Sequence, residues 1–189
     1  MGHVAETARC DSHSFISGEA RLEDDGLAVE STIADFSVVK GSAVISSSRI
    51  QENALVYGNS KVIYSGVAGH GQVYGKARVR EGSTVDKDGR VHGNARLSNS
   101  HITDQAEVYG NADLRNVVVK GTSHVFGDAA INLGHAKLIV LEGNCKLGGK
   151  VKFTEKNTLA DFVKKYGENN VRLQGEAIIL TDVWDLGGA

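Results

Sequence analysis

The chain has 189 residues and a formal net charge of −2. That is one domain, or one and a small appendage, without a whole-chain pull toward nucleic acid or membrane. Two cysteines, Cys10 and Cys145, are too few for a disulfide framework, no apolar run is long enough for a bilayer, and the opening stretch lacks a secretory h-region; a reducing, cytoplasmic setting is expected.

In chain order, residues 1–15 show no clear period and are expected to form a cap or a loose segment. The acids of "GEARLEDDG" (18–26) read as a loop between coils. From Ile16 the chain turns periodic. The stretches "LVYGNSKV" (55–62), "QVYGKARV" (72–79), "RVHGNARL" (90–97), "EVYGNADL" (107–114) and "HVFGDAAI" (124–131) are near-copies, and internal repeats of this kind decide the fold.

Aligning the copies gives three aliphatic columns. Val39, Val56, Val73, Val91, Val108, Val125 and Leu141 form the first, 16 to 18 residues apart. Ile45, Val62, Val79, Leu97, Leu114, Ile131 and Leu147 form the second. Ile16, Ile33, Ile50, Val67, Val85, Ile102, Val119 and Ala136 form the third. Two residues before most members stands a small one, such as Ala43, Ser48, Ala77 or Ser100, with Val117 an exception. Residues two apart on a strand share a face, so the aliphatic fills the middle of a side and the small residue fits the corner. The reading is an all-β, single-stranded, triangular parallel β-helix over residues 16–153, of about seven turns, with one continuous core. Residues just after a core position, such as Thr103, are expected to face outward.

Residues 154–189 are expected to add a short helix and a β cap. Thr158 and Asp161 resemble a capping box, Leu159, Phe162, Val163 and Tyr166 lie on one helical face, and "VRLQGEAIIL" (171–180) reads as β.

An aliphatic residue with a small one four places on, repeated about every six, resembles the hexapeptide-repeat left-handed β-helix superfamily. The "VYGNA" wording is especially similar to repeats in bacterial and phage proteins, some labelled poly(A)-polymerase-like. The resemblance implies the left hand. It also implies, for the transferases of this fold, a catalytic histidine and coenzyme A at a cleft between subunits. Here the glycine comes one place later than in the usual transferase hexapeptide.

His101, His124 and His135 each precede a core position and are the candidate bases for that chemistry, though none sits in a motif that singles it out. No three histidines stand at metal-site spacing, so no metal is expected. The periodic glycines do not form a phosphate cradle, and "KGSAVISSS" (40–48) with "DKD" (86–88) lies inside the repeat, which argues against polymerase chemistry.

Two outward columns remain. One is aromatic: Tyr57, Tyr74, His92, Tyr109 and Phe126. The other is basic: Lys61, Arg78 and Arg96 before the second column's core residues, with Arg80 and Arg115 after them. Cross-strand ladders and solvation account for such columns without a partner, yet exposed apolar patches and Tyr–Arg surfaces are typical contact sites. The expected function is therefore non-enzymatic binding or self-association as a homo-oligomer, dimer or trimer, or with another protein, and without a cofactor. An acyltransferase using coenzyme A is the first alternative and a single-stranded nucleic-acid binder the second, the near-neutral charge weighing against the latter.

Overall fold

Strands of only two or three residues follow one another along most of the chain, each paired in parallel with the strand one turn before and one turn after. The structure, a computed structural model, describes residues 2–132 and 138–149 in full, and 152–154, 171–174 and 177–184 by their backbone. It is an all-β solenoid of about 8 turns with three sides per turn, and no helix occurs among the described residues.

Each side is a ladder of inward aliphatics in register. The first runs from Val4 through Leu22, Val39, Val56, Val73, Val91 and Val108 to Val125 and Leu147. The second runs from Cys10 through Ala28, Ile45, Val62, Val79, Leu97 and Leu114 to Ile131, and the backbone of residues 152–154 pairs in register with this last strand. The third runs from Ile16 through Ile33, Ile50, Val67, Val85, Ile102 and Val119 to Leu141. From Leu22 to Leu147 nearly all of these side chains are fully buried, in one cluster. A turn one strand thick cannot cover its own apolar side, so stability comes from stacking.

Two expectations are corrected here. The coil begins at His3 rather than Ile16, because Val4 and Cys10 already pair with the second turn. Cys10 and Ala28 stand where later turns carry Ile, Val or Leu, which hides the period. Leu141 and Leu147 belong to the third and first ladders, not the first and second. The last complete turn is five residues longer than the one before it, so a constant spacing misplaces both. Ala136 lies outside the described residues.

The small-residue column is built as read. Ala20, Ser37, Ala54, Ala106, Ser123 and Cys145 are buried ahead of the first ladder. Ahead of the third, serines form a chain of contacts: Ser14, Ser31 and Ser48 accept the backbone N–H of Ser31, Ser48 and Ser65 through their hydroxyl oxygens at 3.0–3.2 Å. Ser83 and Ser100 accept from Ser100 and Val117 in the same way. Serine there is both small enough for the corner and able to satisfy an N–H that the strand ladder does not reach.

Corners are made by left-handed residues, one per side. On the first corner these are Gly41, Gly58, Gly75, Gly93, Gly110 and Gly127, with φ between 69° and 75°. A Cβ on Gly110 would lie 2.8 Å from the Gly127 nitrogen, so only glycine fits the stack. The third corner mixes glycines with acids and one lysine, Lys87. Asp35, Glu52 and Asp104 have positive φ, and their carboxylates accept the N–H of Glu52, Gly69 and Gly121 one turn on, at 2.7–3.0 Å. That charge-assisted bond offsets the left-handed strain. Asp24, expected in a loop between coils, is likewise a corner residue whose carboxylate accepts the Gly41 N–H at 2.9 Å.

Beyond the stack, residues 177–184 run parallel to 138–147, and 171–174 pair antiparallel with 177–184. This agrees with the β reading of 171–180. The expected helix over 158–166 lies outside the described residues.

Candidate functional site

The aromatic column is a stack of rings. Tyr57, Tyr74, His92, Tyr109 and Phe126 occupy the same position on five successive turns, each following an inward valine. Successive centroids are 4.8, 4.6, 5.1 and 5.4 Å apart, with planes within 11° of parallel. Strand spacing of about 4.8 Å sets this contact. Lys40 holds the ring position one turn earlier and places its ammonium 5.9 Å from the Tyr57 centroid. Gly148 holds it at the far end, where any side chain would run into the Phe126 ring.

This changes what the column offers. The five side chains are half-buried, not open. Their faces are turned to each other, so a partner meets ring edges and the hydroxyls of Tyr57, Tyr74 and Tyr109. A base has no free face to stack on between the rings. The phenols of Tyr74 and Tyr109 are held above their ordinary pKa, mainly by burial, then by negative neighbours including Glu107. Both are neutral donors at neutral pH.

Beside the stack lies an ionic cluster that the periodicity did not single out. Glu107 joins two histidines: His92 Nε2 is 2.9 Å from Oε1, and His124 Nδ1 is 3.2 Å from Oε2. The His124 ring meets Tyr109 edge-on. With Nδ1 held by the carboxylate, Nε2 of His124 is left as the available nitrogen. An open cavity of about 310 Å³ adjoins it, lined by Asp88, Arg90, Gln105, Glu107 and His124. Glu107 pairs in register with Arg90 and His124. The sequence signal for the cluster is the position before each inward valine, where Arg90, Glu107 and His124 stand on successive turns.

The other candidate bases are elsewhere. His101 is on the third side, with Nε2 2.8 Å from Asp86 Oδ2. His135 lies outside the described residues. Among the described residues, no group of three or more His, Cys, Asp or Glu is placed to hold a metal ion.

Across the glycine corner, on the second side, Lys61, Arg78 and Arg96 stand in direct register on three consecutive turns. All three are exposed, and among the described residues none makes an ion pair. Arg80 and Arg115 run parallel two residues on, Arg80 lying 3.7 Å from Glu81. Like charges directly opposite on neighbouring strands repel. The structure thus brings the rings and the cations to two faces of one corner, and leaves His101 on another side. No protein-family model matches the chain, and no curated protein matches its sequence.

Proposed function

We propose that the chain is a non-enzymatic binding or self-assembly protein whose contact surface is the corner between its first and second sides. The observation that carries this is the unpaired, in-register row of Lys61, Arg78 and Arg96 beside the tyrosine edges. On a chain of net charge −2, a row of repelling cations is a local cost that an acidic partner surface relieves. Tyrosine and arginine are the side chains that most often dominate protein interfaces. The partner is an acidic protein face, on a second copy or another chain.

Two double variants test it: Tyr74→Ser with Tyr109→Ser, and Arg78→Glu with Arg96→Glu. Loss of ring contacts costs the fold only about 0.2–1 kcal/mol per pair, so the circular dichroism spectrum stays that of the wild type. Sedimentation should show an assembly of the wild-type chain that each variant weakens at least tenfold and that added salt also weakens. A wild-type chain that is monomeric at high concentration and recovers no partner from extract sinks the proposal.

One observation favours a second reading. The Glu107–His124 pair, with a free imidazole nitrogen at a polar cavity, is the arrangement a general base needs. In this reading the chain is a coenzyme A-dependent acyltransferase in which Arg78 and Arg96 hold the coenzyme's phosphates. Millimolar coenzyme A should then raise the melting temperature, and the Arg78→Glu, Arg96→Glu variant should not respond. A folded wild-type chain with no shift removes this reading.

A further inference from the structure

The third side carries a gap. Its outward positions ahead of the core residues are Thr32, Arg49, Gly66, Thr84 and His101 on successive turns. Gly66, followed two residues on by Ala68, leaves one turn bare between turns that carry long side chains. A Cβ on Gly66 would meet nothing closer than 3.8 Å, and its φ is not left-handed, so neither packing nor backbone demands glycine there.

Two cavities meet at this gap, sharing Arg49, Gly66 and Thr84. One is a groove of about 480 Å³ that also takes in Ser47, Ser65 and Tyr64, a volume within the usual range for small-ligand sites. The other, about 170 Å³, reaches Gln51, Ala68 and Asp86.

Three side chains around the gap have unspent binding capacity. Asp86 gives Oδ2 to His101 at 2.8 Å, while its Oδ1 is buried without a hydrogen-bond partner. A buried carboxylate oxygen lacking a donor is a standing cost, and the soft torsion about Cβ–Cγ can turn it toward the cavity. The Arg49 guanidinium makes no ion pair or hydrogen bond among the described residues, although the Arg49 backbone N–H donates to the Ser65 carbonyl at 3.1 Å. Tyr64 is 66% exposed and has no ring partner among them. It also has a φ of 50° at a corner where other turns place Glu, Ser or Asn. A bulky left-handed residue is unusual and clusters at ligand sites.

We infer that this groove binds an uncharged saccharide, one ring seated in the Gly66 gap. Sugar hydroxyls supply the donor that Asp86 Oδ1 lacks and accept from Arg49, and the apolar C–H face of a neighbouring ring lies on Tyr64. An anionic ligand is disfavoured, because Glu30 and Asp86 outnumber Arg49 around the site. The site lies on the third side and the corner that opens it, takes none of the ring or basic column residues into its lining, and does not depend on the function proposed for them.

The test is saturation-transfer NMR of the full chain with maltotriose, cellotriose and chitotriose, each at millimolar concentration. At least one should receive saturation. Gly66→Thr supplies the side chain found at Thr32 and Thr84, so it should keep the fold, raise the melting temperature and abolish the signal. Asp86→Ala should lower affinity at least tenfold, while Arg78→Glu with Arg96→Glu leaves it unchanged. No transfer to any of the three sugars, or undiminished transfer with Gly66→Thr or Asp86→Ala, overturns the inference.

Discussion

Val108→Asp should abolish the fold, whereas Lys76→Asp should leave it almost untouched. Val108 is fully buried, with Val91 and Val125 stacked against it in register. Around it lie Ala106, Leu114 and Ile102, all fully buried, so no polar group is available to a carboxylate. Burying an unpaired charge there, with loss of the valine's own burial, costs on the order of 5 kcal/mol or more, comparable to the whole stability of a domain. The stack has no separate core to fall back on. Lys76 is exposed on the first corner, at the repeat position that Asp128 fills three copies later. Its replacement should fall within about 0.5 kcal/mol. Thermal melts followed at a β-sheet wavelength decide it: a cooperative transition in Val108→Asp close to that of Lys76→Asp would overturn the inward and outward assignment of this side.

The period was legible because the same three side-chain columns recur wherever the turn length holds steady. It failed where composition or length departs from that rule. Cys10 and Ala28 are too small to be recognised as column members, and the longer turn before Leu141 moved the last two aliphatics by one side. Thr103 follows Ile102 and is expected to face outward, yet it is 7% exposed. Its register places it between Asp86 and Lys120, the equivalent residues one turn before and one turn after. A two-residue period gives the direction of a side chain, not its cover.

The site was half legible for the same reason. The ring column was visible as one letter per repeat, but its stacking was not. Strand spacing forces rings on successive turns face to face, which turns an apparent apolar patch into a row of edges. The Glu107 cluster combines unlike residues on three turns, and the Gly66 gap is an absence in a column. A search for recurring residue types finds neither. Both become visible once register is known, since Glu107 then falls beside His124 and Gly66 between Arg49 and Thr84.

Gly110→Ala should destabilise the chain far more than Gly143→Ala, although both residues have left-handed backbones, with φ of 73° and 81°. The comparison separates two reasons for glycine. At Gly143 a Cβ would meet nothing within 4 Å, so alanine bears only the conformational cost, about 1–2 kcal/mol. At Gly110 the added carbon would lie 2.8 Å from the nitrogen and 3.0 Å from the oxygen of Gly127, both backbone atoms of the next turn. Those atoms cannot move aside alone, because Asn111 N–H donates to the Gly127 carbonyl at 2.7 Å and Gly127 is packed in turn against Gly149. Relief requires parting two turns and stretching the ladder on either side of the corner. The combined loss should be on the order of 4 kcal/mol, in the range reserved for strain at special backbone positions and overpacking. Equilibrium denaturation of the two variants in urea provides the comparison, with the slope checked for two-state behaviour. Equal midpoints would mean that the glycine column is kept for its left-handed φ alone and that the turns are not held at the contact distance described.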